Sequence, residues 1–380
     1  MSDRRGAWVE IDLAAIRHNV EVVRSVVGGA AVAPVIKADA YGHGMLEVGR
    51  AIGADVEALC VATLDEAIAL RAAVERRILL LYPVPHAAVP EAVTLGVELP
   101  VMAAADLRAI RAAATREGPP VRVHIGVETG MGRGGLPIEE VAAVAAAAQA
   151  DPAVEVAGLW SHLHSPEDPS TSEAQLQRFA VATSALREAG IAIPPRHIAA
   201  SGGIFTHDEP SFDLVRPGLA VYGMLDEGLP VAGDALDAAA RLRPAMTVKA
   251  RPVAFSDVPA GGTVGYGGTW RARRASRVAV LPVGYGDGFL RAAQPGAEVL
   301  ARGRRLPLVG RVSMDAVTVD VTDLPGLGYE EEFVLLGSQS AETISALELA
   351  RRRNTIVWEV LASMALRLGR VYHPQVGTND

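Results

Sequence analysis

The stretch VRVHIGVETGMGRGGLPIEEVAAVAAAAQADPAVEVAGLWS, residues 121–161, reads as strand, helix, strand. Its ends, VRVHIGV (121–127) and EVAGLWS (155–161), are short apolar runs of the length of a buried parallel strand. Between them IEEVAAVAAAAQA (138–150) repeats its apolar residues at helical spacing, with Glu139 and Glu140 in the first turn, where carboxylates suit the helix dipole. The unit recurs on both sides. Similar runs stand at 31–37 (AVAPVIK), 57–62, 77–82, 97–102, 196–201 and 213–222, separated by helical segments such as DEAIALRAAVE (65–75) and ADLRAIRAAATRE (105–117). Eight strands alternating with helices predict an α/β architecture, an N-terminal (β/α)8 TIM-type barrel. A doubly wound open sheet gives a similar beat, and periodicity alone leaves it open. No GxGxxG follows the first strand, which argues against dinucleotide binding.

Beyond about residue 235 the texture changes. MTVKARPVAF (246–255), SRVAVLPVGY (276–285) and AVTVDVTDL (316–324) alternate with period two between Gly- and Pro-containing turns, so a mainly-β C-terminal domain is expected. WVEIDL (8–13) alternates too, and the predicted division is residues 11–235 for the barrel and 236–380 plus 1–10 for the β-rich domain. SALELARRRN (345–354) and LASMALRLG (361–369) suit short helices.

Composition narrows the class. The chain has 380 residues, 50% of them hydrophobic and 21% charged, which excludes a disordered chain and leaves room for a large domain and a smaller one. No apolar run is long enough for a membrane helix, and no secretory signal opens the chain, so a cytoplasmic protein is expected. A net charge of −8 argues against a nucleic-acid-binding face, and a single cysteine, Cys60, excludes an internal disulfide and a multi-cysteine zinc site. Cys60 itself suits a small core residue. No metal site is expected.

Of 36 basic residues only Lys37 and Lys249 are lysine; the other 34 are arginine. Arginine stays protonated, whereas a desolvated lysine can act as a nucleophile or base. Lys249 sits on an alternating strand and reads as a solvated side chain. Lys37 ends the first apolar run, at what a barrel would make its catalytic mouth. His162, Ser201 and Arg216 stand at the ends of the sixth, seventh and eighth runs, and the glycines of SGG (201–203) and RPG (216–218) leave backbone N–H groups for an anion. A lysine for a Schiff base, N–H donors for a phosphate and a cation for a ring nitrogen describe a pyridoxal phosphate (PLP) site. The cluster 271–277 and Arg351–Arg353 read as solvated faces, and Tyr266 and Tyr285, each flanked by glycine, also suit turns.

The segment VIKADAYGHG (35–44) resembles the signature of the alanine racemase family, PLP enzymes with a barrel and a C-terminal β domain. TGMGRGG (129–135), WSHLH (160–164), RPGLAVYG (216–223), VGYGGTW (264–270), LPVGYGDG (281–288) and GRVSMD (310–315) are similar in the same order, across both domains. The resemblance implies interconversion of L- and D-alanine, the latter for peptidoglycan, with Lys37 holding PLP and serving as one proton-transfer base and Tyr266 as the other. It implies a homodimer with shared active sites, Tyr266 and Met314 serving the partner. Arg216 would face the pyridine nitrogen with His162 holding its guanidinium; Tyr41, Ser201, Gly218 and Leu219 would hold the phosphate; Arg133 and Met314 would fix the substrate carboxylate. Three positions depart from the family pattern: Gly126 where a lysine, often carbamylated, usually supports the arginine aligned with Arg133; Leu366 where a tyrosine is usual; and Ala200 for a common asparagine. A broader-specificity amino-acid racemase, acting on serine among others, is therefore the alternative. A related barrel decarboxylase needs a catalytic cysteine in the second domain, where this chain has none, and a non-enzymatic PLP-binding barrel lacks the β domain.

Overall fold

The structure is a computed structural model and describes residues 5–206, 212–289, 291 and 296–374. The chain forms two compact units. One runs from Ala15 to Ala40 and from Met45 to Arg243; the other joins the N-terminal strand, Tyr41–Gly44 and the chain from Pro244 onward.

The first unit is a closed ring of eight parallel strands: Ala31–Val32, Ala58–Val61, Arg77–Leu80, Leu99–Val101, Val121–Gly126, Val154–Trp160, Arg196–His197 and Leu214–Val215. Neighbours pair in parallel throughout, by ladders or by the single bridges Val35–Cys60, Leu79–Glu98 and Ala200–Arg216, and the last strand closes onto the first through Ala31–Leu214. The first and eighth strands are shorter than the apolar runs that mark them. Pro34 and Pro217 have no N–H to give a ladder, so regular pairing ends there, although their carbonyls still accept from Cys60 and Val35. Helices on the outside start on readable signals. Thr63 and Glu66 form a capping box at Leu64–Arg71, and Asp168 caps Pro169–Glu188 with Pro169 in the first turn. Cys60 is fully buried in the barrel.

In the second unit, Ala7–Asp12 lies antiparallel to Met246–Ala250 and parallel to Gly369–His373, within a largely antiparallel sheet that also holds Ser276–Leu281, Arg304–Val309 and Phe333–Gln339. Helices Ala346–Arg353 and Val357–Ala362 follow. Two surface readings change. Arg353 is buried, its guanidinium 5.5 Å from the Phe289 ring, because it falls on the inward face of its helix with Leu349 and Ala350. Lys249 is 20% exposed at its side chain and ion-paired, with Glu10 Oε1 at 3.0 Å and Glu332 Oε2 at 3.2 Å, because its strand is central and both neighbours present carboxylates. Among the described residues no helix is long and apolar enough to cross a membrane, and no group of His, Cys, Asp and Glu is arranged to hold a metal.

Candidate functional site

Lys37 follows the bridge that pairs Val35 with Cys60, and the backbone then does something unusual. Ala38, Asp39, Ala40 and Tyr41 all have positive φ, between 51° and 55°, forming a left-handed turn without a single glycine. L-residues there cost about 1–2 kcal/mol each, so surrounding contacts must impose the conformation. Glu66 accepts from Ala38 N at 2.7 Å, Asp39 Oδ1 accepts from Met45 N at 2.8 Å, and Ala40 N donates to Ile36 O at 2.9 Å. The strain sits next to the lysine.

The Lys37 amine lies 5.6 Å from the centroid of the Tyr82 ring, and the Arg133 guanidinium lies 5.3 Å from the same centroid. Burial and the neighbouring Arg133 charge lower the Lys37 pKa, against a smaller opposing pull from Glu66 and Cys60. An amine so placed is free of its proton more often at neutral pH than an ordinary lysine, and so more available as a base or nucleophile. Beside it is a cavity of about 120 Å³ lined by Tyr82, Met102, Gly126, Arg133, Trp160 and His162. A side chain at Gly126 would overlap Met102 Sδ and come within 3.2 Å of Trp160 Nε1, so the thioether fills the space a larger residue would need. Trp160 Nε1 is buried without a hydrogen-bond partner.

Arg216, on the bridge that joins the seventh and eighth strands, is buried, and burial brings its pKa down to about 10. Its Nη1 donates to His197 Nδ1, its Nη2 donates to Ser161 O at 2.7 Å, and its guanidinium lies 5.0 Å from the Trp160 ring. The expected role of His162 is thereby corrected. His197 holds the guanidinium, because it lies on the strand next to that of Arg216; His162 instead lines the cavity. Burial, then the charges of Arg216, Arg133 and Lys37, hold the His162 pKa down at about 3, so its ring is neutral.

Ser201 Oγ accepts from Gly218 N at 2.9 Å and from Ala220 N at 3.1 Å, which leaves its own proton to donate. Gly202 and Gly203 pack closely against Pro166 and Leu163, so these two glycines serve the protein's own packing. Leu219 opens the turn Leu219–Tyr222, at a position where helical turns leave a backbone donor unmatched. Lys37, Arg133, His162, Ser201, Arg216, Gly218 and Leu219 thus lie on the barrel unit, whereas Tyr41, Tyr266 and Met314 lie on the other.

On that second unit Tyr266 is 70% exposed and Met314 53% exposed. The Met314 loop is tied to the Tyr285 loop by Tyr285 N to Ser313 O at 3.0 Å and Gly286 N to Met314 O at 2.8 Å. Arg367 fixes both loops, its Nε bound to buried Asp287 at 2.7 Å and its Nη2 to Asp315 at 2.8 Å, which leaves neighbouring Leu366 77% exposed. Three residues of the barrel site escaped the sequence reading: Tyr82, Trp160 and His197. The last had a signal, a histidine inside an apolar barrel strand.

The barrel residues suit a ligand bearing an aldehyde for Lys37, a basic ring nitrogen for Arg216 and an anionic group for the Ser201 hydroxyl, which the Gly218 N–H steadies, and the Leu219 N–H. Comparison with known proteins decides the family. Residues 11–226 match the family model for the N-terminal domain of alanine racemase and residues 245–372 that for its C-terminal domain. The chain belongs to the alanine racemase family. It is 36% identical over 379 residues to an alanine racemase of Syntrophobacter fumaroxidans, covering 98% of this chain and 99% of that one. It is 39% identical over 377 residues to one of Salinispora tropica, covering 96% and 98%. Among solved structures, alanine racemase from E. faecalis superposes with a TM-score of 0.90 at 30% identity, covering 98% of this chain and all of that one. That from Streptomyces coelicolor gives 0.90 at 34%, covering 98% and 99%. The alanine racemase likeness therefore spans both units.

Proposed function

We propose that this protein is a PLP-dependent alanine racemase that interconverts L- and D-alanine with two bases, Lys37 and Tyr266. The observation that carries the reading is the Lys37 amine, its pKa lowered by burial and by Arg133, at the mouth of a barrel whose family is alanine racemase. When bound, PLP supplies an electron sink that acidifies the Cα proton of an amino acid joined to it. Lys37 moves that proton on one face. Tyr266, in solvent on its own unit and with no side-chain hydrogen bond among the described residues, serves the opposite face in a second subunit of a homodimer. Arg133, with Met314 from that subunit, orients the substrate carboxylate. Arg216 presents a guanidinium to the ring nitrogen; already fully protonated, it is a poor proton donor, which favours return of the proton to Cα. Ser201, steadied by the Gly218 N–H, and the backbone at Leu219, with Tyr41, hold the phosphate. In the cell such an enzyme works in the cytoplasm and supplies D-alanine for peptidoglycan.

The test combines spectra with turnover. The wild type should bind PLP with the visible absorbance of lysine-bound cofactor and racemise L-alanine, and Lys37→Ala should lose both. Tyr266→Phe should keep the absorbance and lose most turnover. Wild-type turnover by Lys37→Ala would end the proposal. A second reading, racemisation of serine and larger amino acids, draws on the cavity beside Gly126 and exposed Leu366. A substrate panel turned over with alanine alone would exclude it.

A further inference from the structure

The inside of a parallel barrel is ordinarily filled by branched apolar side chains. Here a file of polar groups crosses it. Glu98, which precedes Leu99–Val101, lies with Oε2 2.7 Å from His124 Nε2. His124 Nδ1 lies 2.8 Å from His197 Nε2, and His197 Nδ1 meets Arg216 Nη1. All four side chains are buried. The two rings meet over Gly158, where any side chain would overlap His124 Nδ1 and stand 2.9 Å from His197 Nε2. Trp160 stacks on His197 with centroids 5.9 Å apart and planes 11° from parallel, which fixes the second ring's orientation.

The ends of the file dictate where its protons sit. A guanidinium only donates, so His197 Nδ1 accepts and the ring's single proton is on Nε2. That proton faces His124 Nδ1, which must accept in turn and so carries its own proton on Nε2, toward Glu98. A second proton on either ring would set N–H against N–H. Burial and the Arg216 charge keep the His197 pKa well below the ordinary value, and burial outweighs Glu98 in lowering that of His124. Burial alone would raise the Glu98 pKa, but hydrogen bonds from His124 and Arg77 prevail and keep it ionised. Arg122 Nε also bonds Glu98, at 2.9 Å, while Arg77 and Arg122 pair outward with Glu57 and Glu155.

We infer that Glu98, His124 and His197 are positioning residues for Arg216, a one-directional hydrogen-bonded file that fixes the guanidinium plane at the mouth and keeps it cationic. A fully ordered file of neutral rings carries no spare proton to the mouth, so the base that Arg216 faces stays unprotonated. The inference rests on Arg216 facing the cofactor's ring nitrogen, as proposed above.

Nitrogen NMR of the full-length protein labelled with 15N-histidine, with and without added PLP, tests the proton order without any assay of activity. His124 and His197 should both be neutral with the proton on Nε2 between about pH 6 and 9. A proton on Nδ1, or a doubly protonated ring, at either residue overturns the inference whatever reaction the enzyme performs. Glu98→Gln, which keeps the shape and removes the charge, and His124→Phe, which cuts the file, then test its role. Each should lower kcat for alanine roughly tenfold or more, the size met when a partner that orients an active-site group is lost, with KM within about twofold. Unchanged kcat with reduced thermal stability would make the file merely structural and defeat the assignment. A wild type with the expected ring spectra but no PLP binding would sink the racemase reading, and the role given to Arg216 with it, while leaving the proton order standing.

Discussion

Lys249 lies on a central strand between Glu10 and Glu332, at 3.0 and 3.2 Å, and those two carboxylates outweigh burial to raise its pKa. Lys37 stands at the barrel mouth facing the Tyr82 ring, with Arg133 on the same ring, and burial together with that cation lowers its pKa. Both lysines are partly buried in an arginine-rich chain; their neighbours alone make one a fixed charge and the other a base. Lys→Ala at each position gives the widest separation. Lys37→Ala should cost alanine racemisation about 10³-fold or more, since it removes both the cofactor's anchor and a base. Lys249→Ala should stay within about twofold of wild-type kcat/KM, because its partners are structural carboxylates. Comparable losses at both positions would erase the contrast.

A chemical test sharpens the same contrast without the reaction. An amine-reactive acylating reagent at limiting dose should modify Lys37 faster than Lys249 in protein free of PLP, because a lowered pKa leaves more of the amine free and a raised one leaves less. Peptide mass spectrometry reads both sites in one digest, since the chain has only these two lysines. Equal rates would show that the Lys37 pKa is not lowered.

Much of this contrast was legible in the chain itself. Alternating apolar runs and helices led to the barrel, and the position of Lys37 after the first run led to the mouth. Three features were not legible, for different reasons. The left-handed turn at Ala38–Tyr41 contains no glycine, so nothing local announces it; it is imposed by Glu66 and the Asp39–Met45 bond. The partner of Arg216 depends on which strand sits beside it in the closed ring, and WSHLH drew the choice to His162 when neighbouring His197 makes the bond. Lys249 looked solvated because its strand alternates, yet the carboxylates that cover it come from Glu10 and Glu332, far apart in sequence.

Acid should separate the two units next. The pKa values of His124, His162 and His197 are all lowered in the folded barrel, that of His162 to about 3. Between the folded and ordinary values the unfolded chain binds more protons, so stability rises with pH and is complete above about pH 6.5. It drains away as pH falls through that window. Hydrogen exchange should therefore show barrel amides opening faster at about pH 5 than at pH 7, with a smaller change in the sheet around Lys249. Equal acceleration in both units would show that the buried histidines do not govern acid sensitivity.

The mouth also differs from the sheet in how tightly its small residue is enclosed. Gly126→Ala should destabilise the protein by about 1–3 kcal/mol, because the new methyl meets Met102 Sδ. The added substitution Met102→Ala should recover part of that in a double-mutant cycle followed by denaturant unfolding. Additive losses would show that the thioether is not what fills the space.

The smallest effect belongs to Lys249→Met, which keeps the aliphatic stem and removes the charge. Two ion pairs disappear, but neither carboxylate is abandoned: Arg251 Nη2 still bonds Glu332 at 3.0 Å, and Trp8 Nε1 still bonds Glu10 at 2.9 Å. Both acids are partly exposed, so water can solvate what the lysine leaves. The loss should be about 1 kcal/mol or less by denaturant unfolding, and smaller still at high salt, where wild-type pairs are screened. A loss several times larger would mean that Glu10 and Glu332 depend on the lysine to remain charged within the sheet. The second lysine would then also have been kept for a reason, and an arginine-rich composition would have spared both survivors on physical grounds.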